Sequence, residues 1–249
     1  MTPRLAAVEI ARRRRRHPST WSIVPVACAA ALGAAAMQPA RVHDAGLPER
    51  VRALTVAVIH GDGPAVAVAA DWIARHTVPD AQARAAAGAG GAGAIERLSL
   101  SLGTASGVDA TAAATAALLS ACADCHQAAG AAPALPRPTP AGTRGIAGHM
   151  TGHQLAADLM LEGMLSPSAE AWTRGARQLR QSPLRAADFP VSTRIGGLMA
   201  AAEARLHEMA GSAAAAPDRE ARTAIYATLL TRCAECHTRH TSLWDTPRK

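Results

Sequence analysis

One phenylalanine and one tyrosine serve all 249 residues, and aromatic residues together make up 2%. A core so poor in rings must be filled by Ala, Leu, Val and Met, or by a large apolar body that is not protein. β-Branched runs are sparse and alanine is abundant, which disfavours strands and favours helices. The expected fold is all-α. Lysine occurs once, at Lys249. The net charge of +7 is misleading taken whole. Residues 1–36 hold Arg4 and Arg12 to Arg16 against Glu9 alone, a net +5, and the remainder carries about +2. A nucleic-acid reader needs its basic patch on the folded domain, so nucleic acid is not an expected partner. No acid–base or nucleophile constellation stands out, so no enzyme activity is expected from the side chains alone.

Cysteine is scarce as well, and its placement is the main signal. Four of the five cysteines fall in two copies of one short stretch. The first reads Leu118-Leu119-Ser120-Ala121-Cys122-Ala123-Asp124-Cys125-His126, and the second Leu229-Leu230-Thr231-Arg232-Cys233-Ala234-Glu235-Cys236-His237. The copies lie 111 residues apart. Each ends in C-x-x-C-H, the pattern of covalent c-type haem attachment. Two thiols three apart on a helical turn can each add across a haem vinyl group. The adjacent histidine then reaches the iron from the same face. Two covalently attached haem c groups are expected, held by Cys122, Cys125 and His126 and by Cys233, Cys236 and His237. Zinc and thiol redox chemistry are the competing readings. Structural zinc pairs lie closer in sequence than the 107 residues between Cys125 and Cys233. A thioredoxin-like motif belongs at a βα junction.

The N-terminal stretch bears on this reading, because bacterial haem c is attached outside the cytoplasm. The arginine run precedes the apolar segment Trp21 to Ala36, which ends in Ala34-Ala35-Ala36. Basic region, short apolar region and small-residue site match a secretory signal peptide over 1–36, which places the mature chain in the periplasm. An uncleaved segment would instead anchor the chain to the membrane. A third option makes Cys28 a lipoprotein cysteine, although Pro25-Val26-Ala27 lacks the expected leucine.

Two helical units follow. Over 42–127, Val51, Leu54, Val58 and Ile59 mark a first helix that Pro48 can start. Gly61-Asp62-Gly63 breaks it and Pro64 opens a second helix, striped by Val66, Ala69, Ala70 and Ile73. Residues 80–94 read as a loose Ala/Gly connection, and a third helix covers about 95–102. Asp109 can cap the fourth, which carries the first motif. Residues 128–146, with Pro133, Pro136, Pro138 and Pro140, read as a semi-stiff linker. Over 147–240 the layout repeats: helices at about 147–165, from a Ser168 cap to about 181, at about 195–209, and from Pro217-Asp218 into the second motif. Residues 241–249 read as a polar tail. Ala57-Val58-Ile59 matches Gly163-Met164-Leu165 at an offset of 106, and Arg97-Leu98 matches Arg205-Leu206 at 108.

The motif closes each unit instead of opening it. In this the chain resembles the class II c-type cytochromes, the cytochrome c-prime family of four-helix bundles. The resemblance implies two such bundles in tandem, with His126 and His237 as proximal iron ligands and helix one facing the far side of each iron. It also implies a homodimer through bundle faces. Far-side candidates are His43 in the first unit and His149 or His153 in the second, with Met150 and Met160 behind them. At the offset of 106 His43 falls on His149; measured back from the haem histidine it lies 83 residues away, against 88 for His149 and 84 for His153, which favours His153. His60, His76, His207 and His240 have no repeat partner and read as solvated. Arg52, Arg97 and Arg205 read as surface residues, and Trp72 and Trp172 as core. The expected function is electron transfer between other redox proteins or membrane electron-transport complexes. Binding of nitric oxide or carbon monoxide at a five-coordinate iron is the alternative, and a dihaem peroxidase a third.

Overall fold

The computed structural model describes residues 46–77, 81–133, 135, 144–189 and 191–244. These fall in one compact unit, Pro39–Lys249. The signal-peptide stretch, His43, and residues 134 and 136–143 of the expected linker lie outside the described residues.

Among the described residues the chain is all-helical, with eight α-helices and no strand. They are α1 Leu47–His60, α2 Gly63–His76, α3 Ala81–Gly103, α4 Val108–Ala128, α5 Gly145–Leu165, α6 Ala169–Leu179, α7 Thr193–Ala213 and α8 Arg219–Trp244. A 3-10 turn, Ala186–Asp188, precedes α7. The first hairpin forms as its punctuation dictates. Pro48 sits in the first turn of α1, and Leu47, Val51, Leu54 and Val58 are buried at helical spacing. Gly61 ends α1 in the left-handed region at φ 68°, and its N–H bonds the Ala57 and Val58 carbonyls. Asp62 Oδ1 accepts from the Ala65 N–H at 3.0 Å and starts α2. Gly61 also lies so close to α8 that a Cβ there would collide with Thr238.

Three boundaries differ from the sequence reading. The Ala/Gly stretch is not loose: α3 runs from Ala81, broken only at Gly88, where φ is 68° and ψ 151°. Alanine has the highest helix propensity, and it outweighs the scattered glycines. Asp109 lies in the first turn of α4, but Gly107 is the cap residue and no side chain caps that end. α8 continues through residues 241–244, which the sequence placed in a tail.

Each helix packs on the next within α1–α4 and again within α5–α8, and the two series then meet. α8 packs along α4 and α1, and α4 also packs against α5. α4 is long and apolar enough to cross a bilayer, yet Ala112, Ala116, Leu118, Leu119 and Ala123 are buried against protein. α5 and α6 approach through Gly163, where a Cβ would meet the Trp172 backbone nitrogen at 2.5 Å. Arg52 of α1, read as a surface residue, stays partly exposed, but it has a buried partner: its Nε donates to Asp158 Oδ2 of α5 at 3.3 Å. The two residues occupy the same repeat position, 106 apart. Burial pushes the Asp158 carboxyl above the usual 3.8, while the Gln154 hydrogen bond and Arg52 pull it back.

Removing Arg52 raises that value further. A carboxyl whose folded value exceeds its unfolded one contributes most below the unfolded value and loses that contribution as pH rises through the folded value. Arg52→Ala is therefore expected to cost about 1–3 kcal/mol at neutral pH and almost nothing near about pH 3. Urea unfolding across pH checks this; a pH-independent loss would contradict it.

Candidate functional site

Asp218 Oδ1 accepts from the Ala221 N–H at 2.9 Å and starts α8. Tyr226, Leu229 and Leu230 bury one face of that helix. Cys233 and His237 continue this face one turn apart, because side chains at i and i+4 lie one above the other. Cys233, Cys236 and His237 line a cleft of about 280 Å³. Its walls come from four helices: Ile59 and His60 of α1, Ala147, Met150, His153 and Ala157 of α5, Ala202, Glu203 and Leu206 of α7, and the motif itself. Arg232 also lines it and donates to Glu235 Oε2 at 2.8 Å.

At the first motif Cys125 is half-buried and the other two residues are buried. Cys122 and His126 are each 6% exposed. His126 Nδ1–H donates to the Leu165 carbonyl at 2.9 Å, which fixes the ring orientation. Each motif therefore meets the end of helix one from the other half of the chain. Leu165 closes α5 against His126. Its repeat neighbourhood, Ile59 and His60, closes α1 against the second motif, where the His60 and His237 rings pack edge-on at 4.6 Å.

Burial opposes thiolate formation at three of the four thiols. Burial, then the neighbouring thiol, pushes Cys122 and Cys233 up to about 12, and burial raises Cys125. Reactive dithiols have depressed values instead. Burial lowers His126, partly offset by its bond to Leu165.

Of the far-side candidates, His153 and Met150 line the cleft with His237. Met160 does not: it is fully buried, with its Cγ against Gly175 of α6. His149 is not among the lining residues, and its Nε2 bonds Glu203 Oε1. His43 lies outside the described residues. The reading of His207 as solvated is overturned. It is 9% exposed and its Nε2 lies 2.9 Å from Glu203 Oε1. Glu203 is 5% exposed, at the centre of three imidazoles from His149, His153 and His207. Burial works against its ionisation, but the His207 hydrogen bond and the charges of His153 and His149 hold it at about 2. Burial pushes His153 down to about 4, against the pull of Glu203. His149, His207 and His237 all lower it further.

Sequence reasoning missed Glu203 and His207, although a signal was present. They are spaced i, i+4 like His149 and His153, so each pair shares a helix face. His60, also read as solvated, borders the cleft. His76 is stacked on Trp72 at 4.2 Å, with its Nδ1 bonded to the Trp72 carbonyl at 2.8 Å. Compared with protein families, characterised proteins and solved structures, the chain matches none.

Proposed function

We propose that this chain is an exported, periplasmic c-type cytochrome with two covalent haems. It carries electrons between redox proteins or membrane electron-transport complexes. It is built as two four-helix units, α1–α4 and α5–α8, of the class II kind. The observation that carries the reading is the cleft on α8. There two thiols and an imidazole of one C-x-x-C-H border mostly apolar walls, and His153 on α5 borders the same space. A haem needs this set: two vinyl-reactive thiols, a proximal histidine and apolar contact for its faces. Bound haem supplies a one-electron couple. The chain's own part would be to orient His237 through the α8 backbone, to hold the haem with His153 as a second imidazole bordering the same space, and to exclude bulk water with Ile59, Ala157 and Leu206. At the first motif the His126 bond to Leu165 serves the same orienting role.

A second reading has support at the first haem. Leu47 holds the repeat position of His153 at the offset of 106. Ile95 and Ser99 hold those of Glu203 and His207 at 108. All three are buried and none is an imidazole. A haem held there would find no imidazole among these three residues, which would leave room for nitric oxide or carbon monoxide. Absorption spectra test both parts. Carbon monoxide is expected to bind one of the two reduced haems, and His153→Ala is expected to turn the other high-spin and open it. High-spin spectra from both haems of the unaltered protein would sink the His153 assignment, and two low-spin haems inert to carbon monoxide would sink the gas-binding reading.

A further inference from the structure

His149, His153, Glu203 and His207 bring four ligand atoms within 4.8 Å of one another. α5 supplies two histidines one turn apart, and α7 supplies a glutamate and a histidine one turn apart. All three rings present Nε2 toward one carboxylate oxygen: His207 at 2.9 Å, His153 at 3.4 Å and His149 in close contact. His153 and His207 also place their Nε2 atoms 3.1 Å apart.

Protons alone do not satisfy this arrangement. A neutral imidazole carries one N–H. The contact between His153 and His207 is a hydrogen bond only if one Nε2 lacks a proton. That nitrogen then turns a lone pair toward the Glu203 oxygen. If both carry protons, two N–H groups crowd each other. His207 Nδ1 is buried with no hydrogen-bond partner among the described residues, and an ion held through Nε2 would leave the ring proton on that nitrogen. A cation among the four atoms removes the conflict, because every lone pair then points at positive charge. Its geometry suits the spacing: bonds of about 2.0–2.1 Å in a tetrahedron put neighbouring ligand atoms about 3.4 Å apart.

The geometry points to a non-haem divalent transition-metal ion, of the zinc class, held by His149, Glu203 and His207 beside the cleft. Imidazole nitrogens with one carboxylate favour such an ion over calcium or magnesium, which take oxygen ligands. His153 is shared. When it serves the haem iron, the ion keeps three protein ligands and an open position. When it does not, it completes the tetrahedron. The site ties α5 to α7 and does not depend on haem being present.

Zinc is the probe. Chelator-treated, full-length protein is loaded with Zn²⁺, desalted and analysed for metal, while haem is counted separately by absorbance. One zinc per chain beyond the haem iron is expected. The double variant His149→Ala/His207→Ala is expected to bind zinc at least about 100-fold more weakly. Glu203→Gln keeps the shape and an acceptor, and it too is expected to weaken binding. Zinc should raise the melting temperature of the parent but not of the double variant, and circular dichroism shows that each variant is folded. Should the double variant not fold, Glu203→Gln decides alone. Less than stoichiometric zinc on the parent, or equal zinc on parent and folded variants, would overturn the site. So would loss of zinc on replacing Cys233 and Cys236, since thiols would then be the ligands. Zinc bound through the histidines by a chain that lacks haem would sink the cytochrome reading and leave this site standing.

Discussion

A chain with Cys233→Ala and Cys236→Ala is expected to leave the secretion pathway with one haem instead of two. On the proposed reading each C-x-x-C-H would take its haem independently, because the thiols of the two motifs lie on different helices, α4 and α8. Haem per chain should therefore halve, and the carbon-monoxide-binding fraction of what remains should rise. The cleft would lose its main occupant, but its helices need not collapse. Tyr226, Leu229 and Leu230 anchor α8 independently of the thiols. A variant that still carries two haems, or one that loses both while staying folded, would break the assignment of one haem to each motif. Haem absorbance per mass of folded protein measures this.

Trp172→Ala is expected to be the most damaging single core substitution. Trp172 is 0% exposed, the largest side chain among the fully buried ones. Its Nε1 donates to the Ala213 carbonyl at the end of α7, at 2.7 Å. Arg222 of α8 lies over its ring, 5.6 Å from the centroid, and the buried Nε of that arginine has no hydrogen-bond partner among the described residues. One indole thus joins α6, α7 and α8. Truncation should cost about 3–5 kcal/mol, a large part of the roughly 5–15 kcal/mol that holds a domain folded. Trp172→Phe keeps most of the apolar contact but strands the Ala213 carbonyl, for about 1–3 kcal/mol. Chemical unfolding followed by circular dichroism separates the two. A loss below about 1 kcal/mol for Trp172→Ala would mean that this junction is not a keystone of the second half.

Much of the helical layout could be read from residues whose chemistry is local. Pro48, Gly61, Asp62 and Ser168 each act within one turn, and α1, α2 and α6 begin or end close to them. α3 was harder, because its start holds alanine, which favours helix, and glycine, which opposes it, and only Gly88 breaks the run. The motif residues were legible for the same local reason. Their surroundings were not. Nothing along the chain shows that α1 would reach the second motif or that α5 would close on His126, since those contacts depend on how the two series of helices meet. The Arg52–Asp158 pair is of that kind too: its members share a repeat position, and yet they bond each other. Glu203 and His207 were hidden differently. A search for repeat partners discards residues present in one half only, and Glu203 and His207 are such residues.

Both C-x-x-C-H motifs are expected to hold haem covalently. Intact mass of the protein secreted by a host that makes c-type cytochromes tests it most directly, after denaturation to strip anything not covalently bound. The expected result is the polypeptide plus two haems, a reduced pyridine-haemochrome spectrum of the c type, and no thiol at Cys122, Cys125, Cys233 or Cys236 open to alkylation. Polypeptide mass alone, with all four of these thiols alkylated, would contradict it.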